Sequence, residues 1–523
     1  MHVTGDVRGV RLAELIAALS LGIDLGFGQP MEHVVRQTWI ALRLAERLGL
    51  DTEQRSLVYY TALLTNVGCH TDAHEQAKWF GDDIALKGDK YALGLHGVRS
   101  AVAGLRRLGA GHPMLHRFRI GLNFALSGHK ELDGMVARHS EMAQSLAAAI
   151  GLPAAVQEAV AAAYEQWDGK GWPGKVKGDA IPIAARVSHF AEFIEVAHRT
   201  GGTDSAVDLA RKLSGSQFDP SVASRFAAEA ADIVGDLDGA NTWDEVIAAE
   251  PTLTRPLSAG ELDTALGAVS DFVDLKSPYL LGHGRAVAQL VQGASGIVGL
   301  DAETSRLSCR AALVHGLGRL GVSNAIWDKR GTLGPGEWER VRLQPYLTER
   351  MLQQSAALNP MGALAGQVRE RLDGSGYPKG LDGRALSMPA RVLAAADVYQ
   401  AMLEPRPHRP AHSPDDAAAE LRSETRSGRL DSDAAEAVLV AAGHRTAARR
   451  ERPVGLTAQR SRRPAARCPW AFEQGNRGGA RDLAQDRPEP HRAHLRQGRG
   501  HQSRCGEHLR DQARAPRHPV CLS

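Results

Sequence analysis

The chain has 523 residues, 43% apolar and 24% charged, with a net charge of +3. That is too long for one core and ordinary for a globular protein, so two or three domains are expected. Five cysteines without CxxC or zinc-like spacing fit free thiols in a reducing cytoplasm, and with no basic start before a long apolar run and no stretch of about 18 apolar residues, neither a signal peptide nor a membrane span is expected.

In chain order, Val35, Trp39, Leu42 and Ala45 recur at helical spacing, and Gly49 supplies a helix stop. Asp51 is placed to cap the next helix, with Gln54 as its capping-box partner. The turn ALLTNVG follows from Ala62, and the segment DGKGWPGKVKGDAIPIAARVSHFAE begins at Asp168. Pro251, Pro256 and Gly260 then break the periodicity in a linker. Beyond it the pattern returns. VGLD ending at Asp301 repeats LGLD ending at Asp51, ALVHGLG from Ala312 repeats ALLTNVG, and His283 repeats His33, each 250 residues on. DGSGYPKGLDGRALSMPARVLAAAD from Asp373 repeats the Asp168 segment without a gap, 205 residues on. The shorter offset means that the first copy carries 45 additional residues, read as an amphipathic helix serving as a lid or contact surface. The reading is an all-α chain: a module over 1–245 with an insertion near 70–135, a second module over 255–443, and a tail over 444–523.

The loop Asp373, Gly374, Gly376, Tyr377, Pro378 carries a specific resemblance. With His283, the ALVHGLG turn, IWDKRGTLGPGEWERV and the ARVLAAAD helix, it resembles the HD-GYP group of HD-domain phosphohydrolases over roughly 280–443. Residues 30–225 resemble the group more loosely. The resemblance implies hydrolysis of cyclic di-GMP by bridged iron or manganese ions. Imidazole and carboxylate ligands suit those metals, and a metal-bound hydroxide suits phosphodiester cleavage near neutral pH.

The residues depart from that pattern in both copies. The HD pair is Thr65-Asn66 in the first and His315-Gly316 in the second, so the bridging carboxylate is gone. Cys69 and Arg319 stand where a Lys usually follows. The next family His is His139 in one copy and Gln344 in the other, and the His-His pair has become Ala163-Tyr164 and Val368-Arg369. What remains is His33, His139 and Glu192 in the first copy and His283, His315 and Asp397 in the second. Three such ligands can hold one ion but not a bridged pair. Arg369 is expected to fill the vacated volume and pair with Asp397 or Glu370, so Arg369→His alone would not restore metal binding without Gly316→Asp. The loop glycines also have a purely structural reading, through positive φ and close backbone approach.

From about Arg452 the tail is rich in Arg, Ala, Gly and Pro and has no Lys. It reads as a disordered basic segment from about 446, or as an arm attracting nucleic acid. A third reading is a shifted frame. RPVGLTA resembles the opening of a LuxR-type helix-turn-helix domain, and Glu473 to Arg477, shifted by one base, is compatible with Ser-Lys-Glu-Ile-Ala.

Three functions are open at this point: a catalytically degenerate signalling protein that ancestrally controlled a DNA-binding domain, a weak metal-dependent phosphodiesterase, and a nucleic-acid binder. A cyclic dinucleotide, a protein partner or a second copy of the chain are the expected partners. DNA is expected only if the C-terminal frame is restored.

Overall fold

The computed structural model describes residues 9–93, 106–109, 114–124 and 129–445. The tail readings, including the LuxR-like frame, fall outside the described residues. Helices carry the regular structure, and no strand occurs among the described residues. No described helix is long and apolar enough to cross a membrane.

In the first half, α1 (Leu12–Gly26), α2 (His33–Arg47) and α3 (Thr52–Leu63) are followed by α4 (Ala73–Phe80) and α5 (Asp83–Leu93) of the insertion. Then come α6 (His129–Ala149), α7 (Ile183–Leu213) and α8 (Pro220–Val234). The second half contains α9 (Ala259–Asp274), α10 (His283–Val298), α11 (Ala302–Val314), α12 (Pro335–Leu352), α13 (Met388–Leu403) and α14 (Ser432–Ala441). The α2 helix packs on α3 and α7, and α10 packs on α11, α13 and α14.

Local sequence explains the boundaries. Asp51 accepts from the Gln54 amide and the Gln54 side chain from the Asp51 amide, closing the expected capping box. Gly49 and Gly299 end the preceding helices at φ +73° and +78°, where a Cβ would be strained. In both halves a buried Asp accepts from the next helix's N-terminus: Asp24 from Val34 N, and Asp274 from Gly284 N.

The two halves share one continuous apolar core running from Val10 to Leu439. Their contacts are reciprocal. The α1 helix lies against the turn Leu317–Gly321 and α12 of the second half, and α9 lies against α6 of the first. The approach is close: a Cβ on Gly22 would meet Leu320 Cδ1 at 2.8 Å.

The insertion completes this contact. Asp83 on α5 accepts from Ser323 Oγ at 2.7 Å and from Asn324 N at 2.8 Å, and lies 3.6 Å from the buried Lys276 ammonium. His74 on α4 is 2.7 Å from Asp328. The described helices α4 and α5 of the insertion thus contact the second half.

Burial would raise the Asp83 carboxyl, but Lys276, Lys87 and the hydrogen bonds from Ser323 and Asn324 bring it down to about 2. Glu192 and Glu195 are also held at about 2, against the opposing effect of burial, by Lys90 and by His33 respectively. A carboxyl with a depressed folded pKa stabilises above its unfolded value and loses that contribution as pH falls through the folded one. Between about pH 7 and 4 two effects oppose each other: burial raises Asp24 to about 7, and burial keeps His189 neutral down to about 4. The thermal midpoint should therefore fall steeply as pH drops from about 4.5 towards about 2. A midpoint that stays level through that lower window, followed by calorimetry, would contradict these pairings.

Candidate functional site

The second half gathers a cluster. His283 opens α10, His315 ends α11 and Asp397 lies within α13, all buried. One ligand atom from each lies within 4.8 Å of the others. Neighbours fix both imidazoles. Glu404, two turns along α13 from Asp397, lies 2.9 Å from His283 Nδ1, and His315 Nδ1 donates to the Ala312 carbonyl at 2.6 Å. Both Nε2 atoms thus face Asp397 Oδ1, at 3.2 and 3.4 Å. Orienting a ligand imidazole through its far nitrogen is how metal sites are commonly built.

Two guanidinium groups enter the same space. Arg369 Nη1 is 2.8 Å from Asp397 Oδ2, as an ion pair, with no hydrogen bond directed at that oxygen. Arg369 therefore chooses Asp397 of its two expected partners. Glu370 instead accepts from Lys379 N and Leu381 N, holding the loop that follows. Arg319 Nη2 lies 3.4 Å from His315 Nε2, and Nη1 sits where a Cβ on Gly316 would be 3.3 Å away. Burial would raise the Asp397 carboxyl, but Arg369 and the two imidazoles drive it well below the usual range. Burial holds His315 neutral, down to about 4.

Chemically, two imidazoles and the Asp397 carboxylate, whose Oδ2 receives no aligned donor, fit a single divalent ion. A bridged pair does not fit. Gly316 offers no carboxylate, and Gln344 spends its amide on the His315 carbonyl at 2.6 Å.

The loop behaves as its sequence suggested. Asp373 accepts from Ser375, Gly374 has φ +77°, and a Cβ on Gly376 would lie 2.4 Å from Arg371 N. Pro378 follows a cis bond matched at Pro173 in the first half. Tyr377 faces a cavity of about 550 Å³, which none of His283, His315 and Asp397 lines. Trp327, Trp338, Arg319, Arg369, Arg406 and Lys329 are among its other walls.

The first half does not assemble its three candidates. His33 Nδ1 binds Glu195 at 2.5 Å and Nε2 faces Tyr91 Oη at 3.3 Å. Glu192 accepts from Asn66 at 2.5 Å, Lys90 at 2.7 Å and Tyr91 at 2.8 Å. His139 pairs with Asp72 and lies 3.5 Å from Cys69 Sγ. The expected ligand set His33, His139 and Glu192 is thus replaced: α5 sends an ammonium and a phenol onto the carboxylate an ion would need. Lys90 and Tyr91 escaped the sequence reading because the insertion has no counterpart to align. Glu195 and Glu404 were visible as carboxylates one and two turns beyond Glu192 and Asp397.

Lys90→Met should leave Glu192 buried without its counter-charge and cost roughly 3–5 kcal/mol in urea unfolding. Adding Glu192→Gln should recover most of that loss. An unchanged midpoint in the single variant would show that Lys90 does not neutralise Glu192.

The chain is 29% identical over 415 residues to 3'3'-cGAMP-specific phosphodiesterase 3 of Vibrio cholerae, covering 78% of this chain and 90% of that protein. It is 32% identical to 3'3'-cGAMP-specific phosphodiesterase 1 of the same organism, over 36% of this chain and 44% of that one. A cyclic di-GMP phosphodiesterase response regulator of Xanthomonas campestris is 34% identical over 25% of this chain and 35% of its own length. A crystal structure of a cyclic GMP-AMP phosphodiesterase of Vibrio cholerae shares the fold, with a TM-score of 0.58 at 23% identity, covering 83% of this chain and 98% of that one. The all-α fold expected from the sequence is thereby shown. These relatives are enzymes, which favours the phosphodiesterase alternative over a purely regulatory role. The family signature described as HD domain matches residues 129–222 and 267–434, and the chain belongs to that family.

Proposed function

We propose that this chain acts on cyclic dinucleotides at its second half, as a phosphodiesterase-type protein working with one metal ion in place of a bridged pair. The observation that carries this reading is the convergence of His283, His315 and Asp397 beside Arg319 and Arg369, which line a basic, aromatic-walled cavity. The residues divide the work. Trp327, Trp338 and Tyr377 offer flat faces to the bases. Arg319 and Arg369 present positive charge where phosphoryl oxygens would lie. Glu404 and the Ala312 carbonyl keep both imidazoles turned towards Asp397. A divalent ion held by His283, His315 and Asp397 would supply Lewis acidity and a lowered pKa for bound water.

A second reading keeps the nucleotide and drops the chemistry, leaving a signalling receptor. The Arg369–Asp397 ion pair favours it, because the guanidinium already neutralises the carboxylate that an ion would need. One experiment separates the two: incubation of the full chain with 3'3'-cGAMP and with cyclic di-GMP, with and without manganese. Slow manganese-dependent release of linear product is expected, reduced on the order of 10²-fold or more by Asp397→Asn. Binding without any turnover would leave the receptor. Neither binding nor turnover would sink both readings.

A further inference from the structure

The insertion carries a further helix, Met114–Asn123. One side of it is packed. Ile120, with Phe124 just beyond the helix, lies against Trp79, Phe80 and Leu108, and Phe124 makes edge contacts with both aromatic rings. Arg117 ties the helix down by donating to the carbonyls of Leu108 and Arg106, at 3.2 and 2.7 Å. The opposite side is bare. Met114, Leu115, Phe118 and Leu122 are between 54% and 88% exposed, and the first three are the most exposed large apolar side chains among the described residues. At about 3.6 residues per turn the four fall in one stripe roughly 100° wide, turned away from Ile120 and Phe124. Single apolar residues on a surface are ordinary, but a continuous stripe left in water marks a contact.

The charges around the stripe say what kind of contact. Arg119 borders it and Arg106 stands on the neighbouring segment, both exposed and neither paired with a carboxylate among the described residues. Between Asp89 and Glu131 the sequence holds seven Lys and Arg and no Asp or Glu. Two copies of the chain meeting through this face would bring their cations together without a carboxylate to match them. The chain's own Arg-rich tail carries the same sign. An apolar stripe edged by cations matches a surface that is apolar within and negative outside, which is an anionic lipid layer.

We infer that the helix Met114–Asn123 docks on an anionic lipid surface, with Met114, Leu115, Phe118 and Leu122 entering the headgroup region and Arg119 and Arg106 facing lipid phosphates. The face is a single helix of 10 residues, so the attachment is peripheral and reversible, its strength coming from apolar area and charge together. The first half builds this face, and it stands independently of the chemistry proposed for the second.

The test is co-sedimentation of the full chain with vesicles of phosphatidylcholine alone and of phosphatidylcholine mixed with phosphatidylglycerol. Binding to the mixed vesicles and not to the neutral ones is expected, falling as salt is raised. Phe118→Ser/Leu122→Ser should weaken it about tenfold or more, and Arg119→Gln about fivefold. These residues are exposed, so each variant should keep the wild-type thermal midpoint and show that the fold is intact. No binding to the mixed vesicles, or equal binding to the neutral ones, would overturn the inference. Binding that the double variant leaves unchanged would place the contact elsewhere, on the Arg-rich tail, and overturn it as well. A dimer in sedimentation velocity that the double variant dissolves, without lipid binding, would assign the face to a second copy and have the same consequence.

Discussion

The buried carboxylate of Asp397 governs the second half of this molecule. A charge removed from water must be matched nearby, and here the match comes from two imidazoles and a guanidinium, on segments apart in sequence. The requirement fixes how α10, α11 and α13 meet. It also fixes Glu404, whose contact with His283 keeps that ring turned inwards. The first half solves the same problem with different atoms. Glu192, on the helix equivalent to α13, is matched by Lys90 from an insertion that the second half lacks.

The two solutions have different consequences. In the first half the counter-charge comes with a phenol from the same helix, and the carboxylate is closed off. In the second half Arg369 is about one-fifth exposed and opens onto a cavity, so it can reach a ligand from outside. The insertion that closes one site also braces the other. Its Asp83 holds the Ser323–Asn324 turn, and its His74 binds Asp328 in the cavity wall. This short pair of helices thus adds to the contacts that the shared core already makes between the two halves.

Much of this was legible in the residues. The spacing of Val35, Trp39 and Leu42, the Asp51 cap and the recurrence at 250 and 205 residues all reflect local rules that any helical repeat must obey. The loop glycines were readable for the same reason, since Gly376 lies where a side chain would strike the backbone of Arg371. The second-half cluster followed from the repeat, because His283, His315 and Asp397 keep positions the pattern had already marked. The partners of the first-half residues were not legible. His139 reads as a ligand by position, yet its actual neighbours Asp72 and Cys69 are set by tertiary packing, and Lys90 arrives on a helix with nothing to align it to. The choice of Asp397 over Glu370 by Arg369 was likewise open, and it was decided by backbone amides that claim Glu370 first.

The central claim is that the second half offers one ion site, and not two, because a guanidinium and a glycine stand where further ligands would be needed. Electron paramagnetic resonance of the full chain titrated with manganese addresses it directly. The signal of an isolated ion saturating at one per chain, and lost in Asp397→Asn, is the expected result. An exchange-coupled pair, or two ions per chain that both depend on Asp397, would contradict it.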